Sequence, residues 1–429
     1  MKIFFDVVGC RLNQSEAERL ANIFLALGHE IVPEPGNADL AVINTCAVTV
    51  KAAADSRKKL RRAARAGAGR VLATGCWASL YPEEALALQG VYEVISNEEK
   101  DLLVSNVLDI SPEEISKLAL IRQALPGDRS RTRAFIKVQE GCDNHCTYCL
   151  TRIARGKSRS RSLEEITRDV LAAIAGGARE VVLTGVQLGA WGKDFPVPRR
   201  LDDMISGVLT IEGIQRVRLS SIEPWDFDLA YLRLWEDRRL CRQLHIPLQS
   251  GHDRVLREMG RPITSKAYTA LVQGVRQRVP GMALTTDIIT GFPGETDEDF
   301  QASRDFVNEI RFAGGHVFSY SPRPGTAANK LKGRITPQVA KARNAALRLA
   351  FSKTAREYRS KFIGQSAVVL WESSRLTQNG VWELSGLTDT YIRVFALSPI
   401  DRWNEMDAVD LQAHHHSRPA LIGRVVGPQ

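Results

Sequence analysis

A chain of 429 residues, 44% hydrophobic and 25% charged, has the make-up of a folded protein of two to three domains and excludes a disordered or fibrous one. It has no run of about 18 apolar residues, which argues against a membrane-spanning helix. The charged start Met1-Lys2-Ile3-Phe4-Phe5-Asp6 reads as a first strand rather than a signal peptide, so a cytoplasmic protein with no membrane partner is expected. The formal charge of +9 permits a polyanionic partner, and seven cysteines, an odd number, point to metal or catalytic use instead of a disulfide framework.

Residues 1–110 alternate short apolar runs with helical stretches. Strands are predicted at 2–8, 40–44, 71–74 and 91–95, and helices at 14–27, 48–65, 82–87 and from 97 onward. This order implies a doubly wound parallel sheet. Cys10, Cys46 and Cys76 each follow one of the first three strands. In open α/β sheets ligands bind beyond the carboxyl ends of strands, so the three thiols can converge on one metal site. Cys241 is left over and reads as a buried or free thiol. The helix after Cys46 carries Lys51, Arg57, Lys58, Lys59, Arg61, Arg62 and Arg65 against the single acid Asp55. That is either a solvated face or a surface for phosphates.

Residues 111–132, with Ser111-Pro112 and Pro126-Gly127, read as a linker with one short helix. From 133 to 355 six strands are predicted, at 134–139, 180–184, 216–220, 243–248, 284–289 and 316–320. Helices are predicted at 163–175, 253–259, 266–277 and 297–309. Six βα units suggest a partial parallel barrel with its active site at the carboxyl ends of the strands. Directly after the first of these strands come Cys142, Cys146 and Cys149. Three thiolates with no nearby fourth can hold an iron–sulfur cluster that leaves one iron open; a zinc loop with His145 or a distant fourth ligand is the alternative. Other strand-end segments carry Gly185, Ser221, Glu223, Gln249, Gly291 and Gly294, suited to a ribose or amino acid moiety. Arg152, Arg155, Lys157, Arg159 and Arg161 follow the cysteine loop with no acid between them, which favours a substrate role. In 362–429, short strands at 367–371, 381–384, 391–394 and 421–426 suggest a small β-barrel, with His414-His415-His416 in a polar loop between strands, metal binding being the alternative for them.

Cys142-x3-Cys146-x2-Cys149, with Tyr148 before the last cysteine, resembles the radical S-adenosylmethionine signature. Cys10, Cys46 and Cys76 in their contexts resemble the N-terminal domain of the methylthiotransferases. Gly9-Cys10-Arg11-Leu12-Asn13-Gln14, Asn44-Thr45-Cys46-Ala47-Val48-Thr49, the segment Ala154 to Arg161, and Thr285-Thr286-Asp287-Ile288-Ile289 are most similar to the bacterial branch acting on threonylcarbamoyladenosine in tRNA. The segment Gly386 to Val394 resembles the RNA-binding TRAM domain. There are two departures: Leu150-Thr151-Arg152-Ile153 stands where relatives usually carry an Ile-Pro-Tyr-like run, and Gln187 stands where this branch often has histidine.

The resemblance implies an α/β protein with an N-terminal doubly wound sheet, a partial (β/α)6 radical-SAM barrel and a TRAM-like β-barrel. It implies two 4Fe-4S clusters, one on Cys142, Cys146 and Cys149 that cleaves S-adenosylmethionine to a radical, and an auxiliary one on Cys10, Cys46 and Cys76 that carries the sulfur. The two would face each other. Tyr148, Gly185, Ser221, Glu223, Gln249, Gly291 and Gly294 would bind S-adenosylmethionine. Arg155, Lys157, Arg159, Arg161, Arg323 and Arg393 would contact tRNA at an anticodon-loop adenosine, with Arg155 or Arg323 reading the threonyl carboxylate. The implied reaction is 2-methylthiolation of N6-threonylcarbamoyladenosine at position 37, with electrons from a low-potential donor such as flavodoxin or ferredoxin. Isopentenyladenosine in tRNA, an aspartate of a ribosomal protein, and a non-catalytic zinc-stabilised RNA-binding protein are the alternatives.

Overall fold

A computed structural model describes residues 1–123, 125 and 132–428. The chain forms two compact units, Met1–Asn144 with Cys149–Arg200, and His145–Tyr148 with Leu201–Gln429.

The first unit opens with five strands, β1 (Lys2–Val7), β2 (Glu30–Ile31), β3 (Leu40–Thr45), β4 (Arg70–Gly75) and β5 (Val91–Val94), in the order β2-β1-β3-β4-β5. Every pairing is parallel. The central strand β3 is buried at every position, which is what a strand covered on both faces requires. Leu40 and Val42 join one core with Ala17, Leu20 and Phe24 of helix α1 (Arg11–Ala26). Ala41 and Ile43 join the other core with Leu60 and Ala63 of α2 (Val50–Arg65) and Trp77 of α3 (Cys76–Leu80). The expected doubly wound arrangement follows from this alternation. Cys10 takes the N-cap position of α1, and Cys76 opens α3. Between β4 and α3, Gly75 has φ +91°, and a Cβ there would overlap the Thr45 carbonyl, so only glycine closes the turn.

The 111–132 segment contains the short helix Pro112–Ser116, started by a capping box of Ser111 and Glu114. Its described part is not a loose tether. Arg122 Nε donates to Glu18 (2.8 Å), the Gln123 amide donates to Asn22 (2.9 Å), and Leu118 and Leu120 pack on the first core. Pro126-Gly127 lies outside the described residues. The strands Arg133–Lys137 and Glu180–Thr184 then pair in parallel.

In the second unit, Gln243–His245, Ala283–Thr290 and Gly314–Ser319 form a parallel sheet. Arg216–Leu219 lies beside the first of them through the bridges Val217↔Leu240 and Ser221↔His245. All six strands expected of the central domain are therefore present. Two helices, Leu201–Leu209 and Pro337–Ser360, escape the sequence reading. The second runs through position 355, where a domain end was expected. Its buried side includes Leu347, Ala350, Phe351 and Tyr358 among many charges, too narrow a stripe to stand out.

The C-terminal strands Ser366–Leu376, Trp382–Thr388, Arg393–Ser398, Met406–His414 and Leu421–Pro428 close into a barrel. Met406–His414 is one strand more than expected, and His414 ends it, which corrects the placing of all three histidines in a loop. Asp407 masks its period. That carboxylate is fully buried, accepting from Trp371 Nε1 (2.7 Å) and Arg402 (3.1 Å). Arg216 and Arg218 donate to the carbonyls of Leu387, Thr388 and Asp389 (3.0–3.2 Å) and tie the barrel to the preceding sheet.

Candidate active site

The structure gathers the N-terminal cysteines. A Cβ on Gly9 would stand 2.6 Å from Cys46 Sγ, so the chain beside Cys10 runs against Cys46 and needs glycine there. Cys46 and Cys76 are buried, and Cys10 is exposed. Burial pushes the Cys46 thiol up to about 11, and the neighbouring Cys76 and Cys10 add to the rise. Three thiols within electrostatic reach of one another suit a metal centre that neutralises them. Among the described residues no group of three His, Cys, Asp or Glu side chains is placed to hold a metal ion. A cubane takes each thiolate on a different iron, so its ligands surround a volume instead of meeting at one ion.

Behind these thiols lies a buried ion network that sequence reasoning missed. Arg155 Nη1 donates to Glu16 (2.7 Å) and Glu140 (2.6 Å), and Arg155 Nε donates to Cys76 Sγ (3.2 Å). Lys100 pairs with Glu16 (2.7 Å) and Lys137 with Glu140 (3.0 Å). Burial alone would raise the Glu16 carboxyl; Arg155, Lys100 and Lys137 outweigh it and hold the group well below the usual carboxylate range. The network joins helix α1 to Glu140, two residues before Cys142, and to Arg155, six after Cys149.

The loop carrying Cys142, Cys146 and Cys149 lies outside helix and strand. At its start, Gly141 has φ +70°, and a Cβ there would overlap the Lys157 carbonyl. Gln139 Nε2 donates to the carbonyls of Glu140 (2.7 Å) and Gly141 (2.9 Å), while its oxygen accepts from the Gln187 amide (2.8 Å). Gln187 Oε1 in turn accepts from the Asp143 amide (3.1 Å). Gly185 lies against Gln139, where a Cβ would meet the side chain at 3.0 Å. The Thr151 amide donates to Cys149 Sγ (3.4 Å), and the Cys149 thiol donates to the Thr151 hydroxyl (3.2 Å). The two departures from the family pattern thus both support this loop.

In the second unit, Arg261 is the organising residue. Its side chain is 1% exposed, pairs with Glu223 (2.6 Å), donates to the Pro247 carbonyl (2.5 Å) and lies over the Trp225 ring (4.7 Å). Its other branch approaches Tyr148 Oη (3.4 Å) and Cys146 Sγ (3.9 Å). Ser221 forms a bridge to His245. Gln249 adopts φ +80° and exchanges backbone bonds with Asp287 and Ile289. Gly291 and Gly294 both have positive φ, and Gly294 is bonded to the Gly333 carbonyl (2.8 Å).

The Radical SAM superfamily model matches residues 136–307, and that of the uncharacterized protein family UPF0004 matches residues 2–96. Over 406 residues the chain is 32% identical to the threonylcarbamoyladenosine tRNA methylthiotransferase MtaB of Bacillus subtilis (strain 168), covering 91% of this chain and 89% of that protein. Over 400 residues it is 35% identical to the protein of the same name from Thermotoga maritima, covering 90% and 89%. The chain belongs to the radical S-adenosylmethionine methylthiotransferase family. Its fold is similar to that of TsrM, a radical S-adenosylmethionine methyltransferase from Kitasatospora setae, with a TM-score of 0.56 at 15% identity over 76% of this chain and 75% of that one.

In this methylthiotransferase, three of the arginines expected to meet RNA are buried or nearly so. Arg155 is 2% exposed inside the ion network. Arg161 is 10% exposed, held by Asp169 (2.6 Å) and the Lys137 carbonyl (2.8 Å). Arg323 is buried. The Arg155 guanidinium is committed to Glu16, Glu140, Asn13 and Cys76, which leaves it no arm for a threonyl carboxylate. Lys157 and Arg159 are exposed, and Arg393 lies at the barrel surface paired with Glu372 (2.5 Å). One sequence signal for the network existed. Lys137 sits between Ile136 and Val138 in a buried strand, where a charge requires a partner.

Proposed function

We propose that this methylthiotransferase acts on tRNA and places a methylthio group at C2 of N6-threonylcarbamoyladenosine at position 37. The observation that carries this reading is identity above 30% along about nine-tenths of the chain with relatives named for that nucleoside. Cys142, Cys146 and Cys149 are read as holding one 4Fe-4S cluster, and Cys10, Cys46 and Cys76 a second. The donor set fits: three thiols in each set, a glycine cradle at Gly9 and Gly141, and N–H donors aimed at sulfur from Arg155 and Thr151. When bound, the clusters and S-adenosylmethionine supply radical activation of the C2–H bond and the methylthio group.

The protein's own residues position and shield these groups. Thr151 and Arg261 fix the faces of Cys149 and Cys146; Gln139 and Gln187 fix the shoulder of the loop. Ser221, Glu223, Gln249, Tyr148 and the glycines at 185, 291 and 294 remain the candidates for S-adenosylmethionine. By this reading residues 1–110 bear the auxiliary centre, 133–355 the barrel and 362–429 a TRAM-like RNA module, in a cytoplasmic enzyme fed by a low-potential donor such as flavodoxin or ferredoxin. An adenosine in an anticodon loop is already unpaired, which lowers the cost of drawing it into a pocket.

Exposed cations on α2 suit the RNA backbone. Lys58, Arg61 and Arg65 are solvent-facing, so replacing all three by alanine leaves the fold intact. Affinity for tRNA falls, and the slope of log affinity against log salt becomes shallower by about 0.7 to 0.9 per lost phosphate contact. An unchanged slope assigns the helix no RNA contact. The function itself is tested by mass spectrometry of tRNA nucleosides from cells lacking the gene. Loss of 2-methylthio-threonylcarbamoyladenosine is expected; loss of the isopentenyl derivative in its place overturns the assignment.

A further inference from the structure

Arg155 is fixed from three sides. Nη1 is taken by Glu16 and Glu140, and Nη2 by Asn13 Oδ1 (2.6 Å) and the second oxygen of Glu16 (3.4 Å). Asn13 is itself immobilised, donating to the carbonyls of Val8 (2.8 Å) and Thr45 (2.9 Å) at the ends of the strands that precede Cys10 and Cys46. A guanidinium is a rigid planar fork, so fixing two arms fixes the third. The third, Nε, faces Cys76 Sγ at 3.2 Å. Lys100, Lys137 and Arg155 are nearly fully buried and face the carboxylates Glu16, Glu140 and Asp101. Of these charged groups it is the Arg155 guanidinium that reaches the thiols, with its remaining donor pointing at sulfur.

We propose that Arg155 is a positioning residue of the auxiliary centre, whose N–H···S bond and buried positive charge beside the sulfur raise the reduction potential of the cluster on Cys10, Cys46 and Cys76. This rests on the reading of those cysteines as a cluster site. A donor and a positive charge beside a ligand sulfur favour the state with one more electron. Because Arg155 also grips Glu140, the residue that tunes one centre is tied to the loop that carries the other.

The test uses the full chain with Cys142, Cys146 and Cys149 all replaced by alanine, reconstituted without oxygen, so that only the auxiliary cluster is read. In Arg155→Gln each carboxylate keeps a lysine, Glu16 with Lys100 and Glu140 with Lys137, and no buried charge is left alone. Iron content is expected to match the parent, with the midpoint potential, followed by electron paramagnetic resonance, shifted to more negative values. Arg155→Lys, which restores the charge but not the fork, falls between. Iron lost by Arg155→Gln and recovered by Arg155→Lys also supports the proposal. Full iron with an unmoved midpoint overturns it, as does iron loss that lysine does not recover, the mark of a folding role. A parent with no iron–sulfur absorbance overturns instead the reading of the cysteines, and the proposal with it.

Discussion

Replacing Cys10, Cys46 and Cys76 together by alanine abolishes methylthio transfer while reductive cleavage of S-adenosylmethionine persists, and bound iron falls by about half. The two cysteine sets lie on different loops with separate supports. Gly9, Asn13 and Arg155 border the first; Gly141, Gln139, Thr151 and Arg261 border the second. The fold survives the change, because Cys46 and Cys76 are small buried side chains and Arg155 keeps Glu16, Glu140 and Asn13. The complementary variant, with Cys142, Cys146 and Cys149 replaced, loses cleavage and transfer together. Loss of cleavage in the first variant would mean that the sets act as one centre.

The second large effect is expected at Arg261. Arg261→Met removes the partner of Glu223, the donor to Pro247 and the cation over Trp225 in one step. Breaking a buried ion pair from one side costs about 3 kcal/mol, because the remaining charge is left with poor solvation. The guanidinium denaturation midpoint of the metal-free protein falls accordingly. In the loaded protein, Cys146 and Tyr148 lose their neighbour, and affinity for S-adenosylmethionine falls as well. Arg261→Lys recovers only part of the stability, since one ammonium cannot reach the carboxylate, the carbonyl and the ring face together. An unshifted midpoint would show that Glu223 finds solvent without cost.

The parts of this architecture legible in the sequence were those written locally. Apolar stretches such as Leu40–Thr45 and Glu180–Thr184 announce buried parallel strands, and cysteines placed just after strands announce a site. Contacts between distant charges are not local. Arg155 meets Glu16 across 139 positions, and nothing around either residue distinguishes it from a solvated charge. That is why Arg155 read as a substrate-contacting cation next to a catalytic loop when the fold commits it to an interior network. Arg261 was hidden for the same reason: it follows a short helix, and its partners Glu223 and Trp225 lie on another strand end. Met406–His414 failed differently, since a strand with an inward aspartate breaks the alternation by which strands are recognised.

The most direct measurement combines anaerobically reconstituted protein, S-adenosylmethionine, a strong reductant and tRNA bearing N6-threonylcarbamoyladenosine, followed by nucleoside mass spectrometry. The account predicts conversion of that nucleoside to its 2-methylthio derivative by the parent, and none by either triple-cysteine variant. A protein that binds zinc without iron, or that leaves this tRNA unchanged while converting isopentenyladenosine, would contradict it.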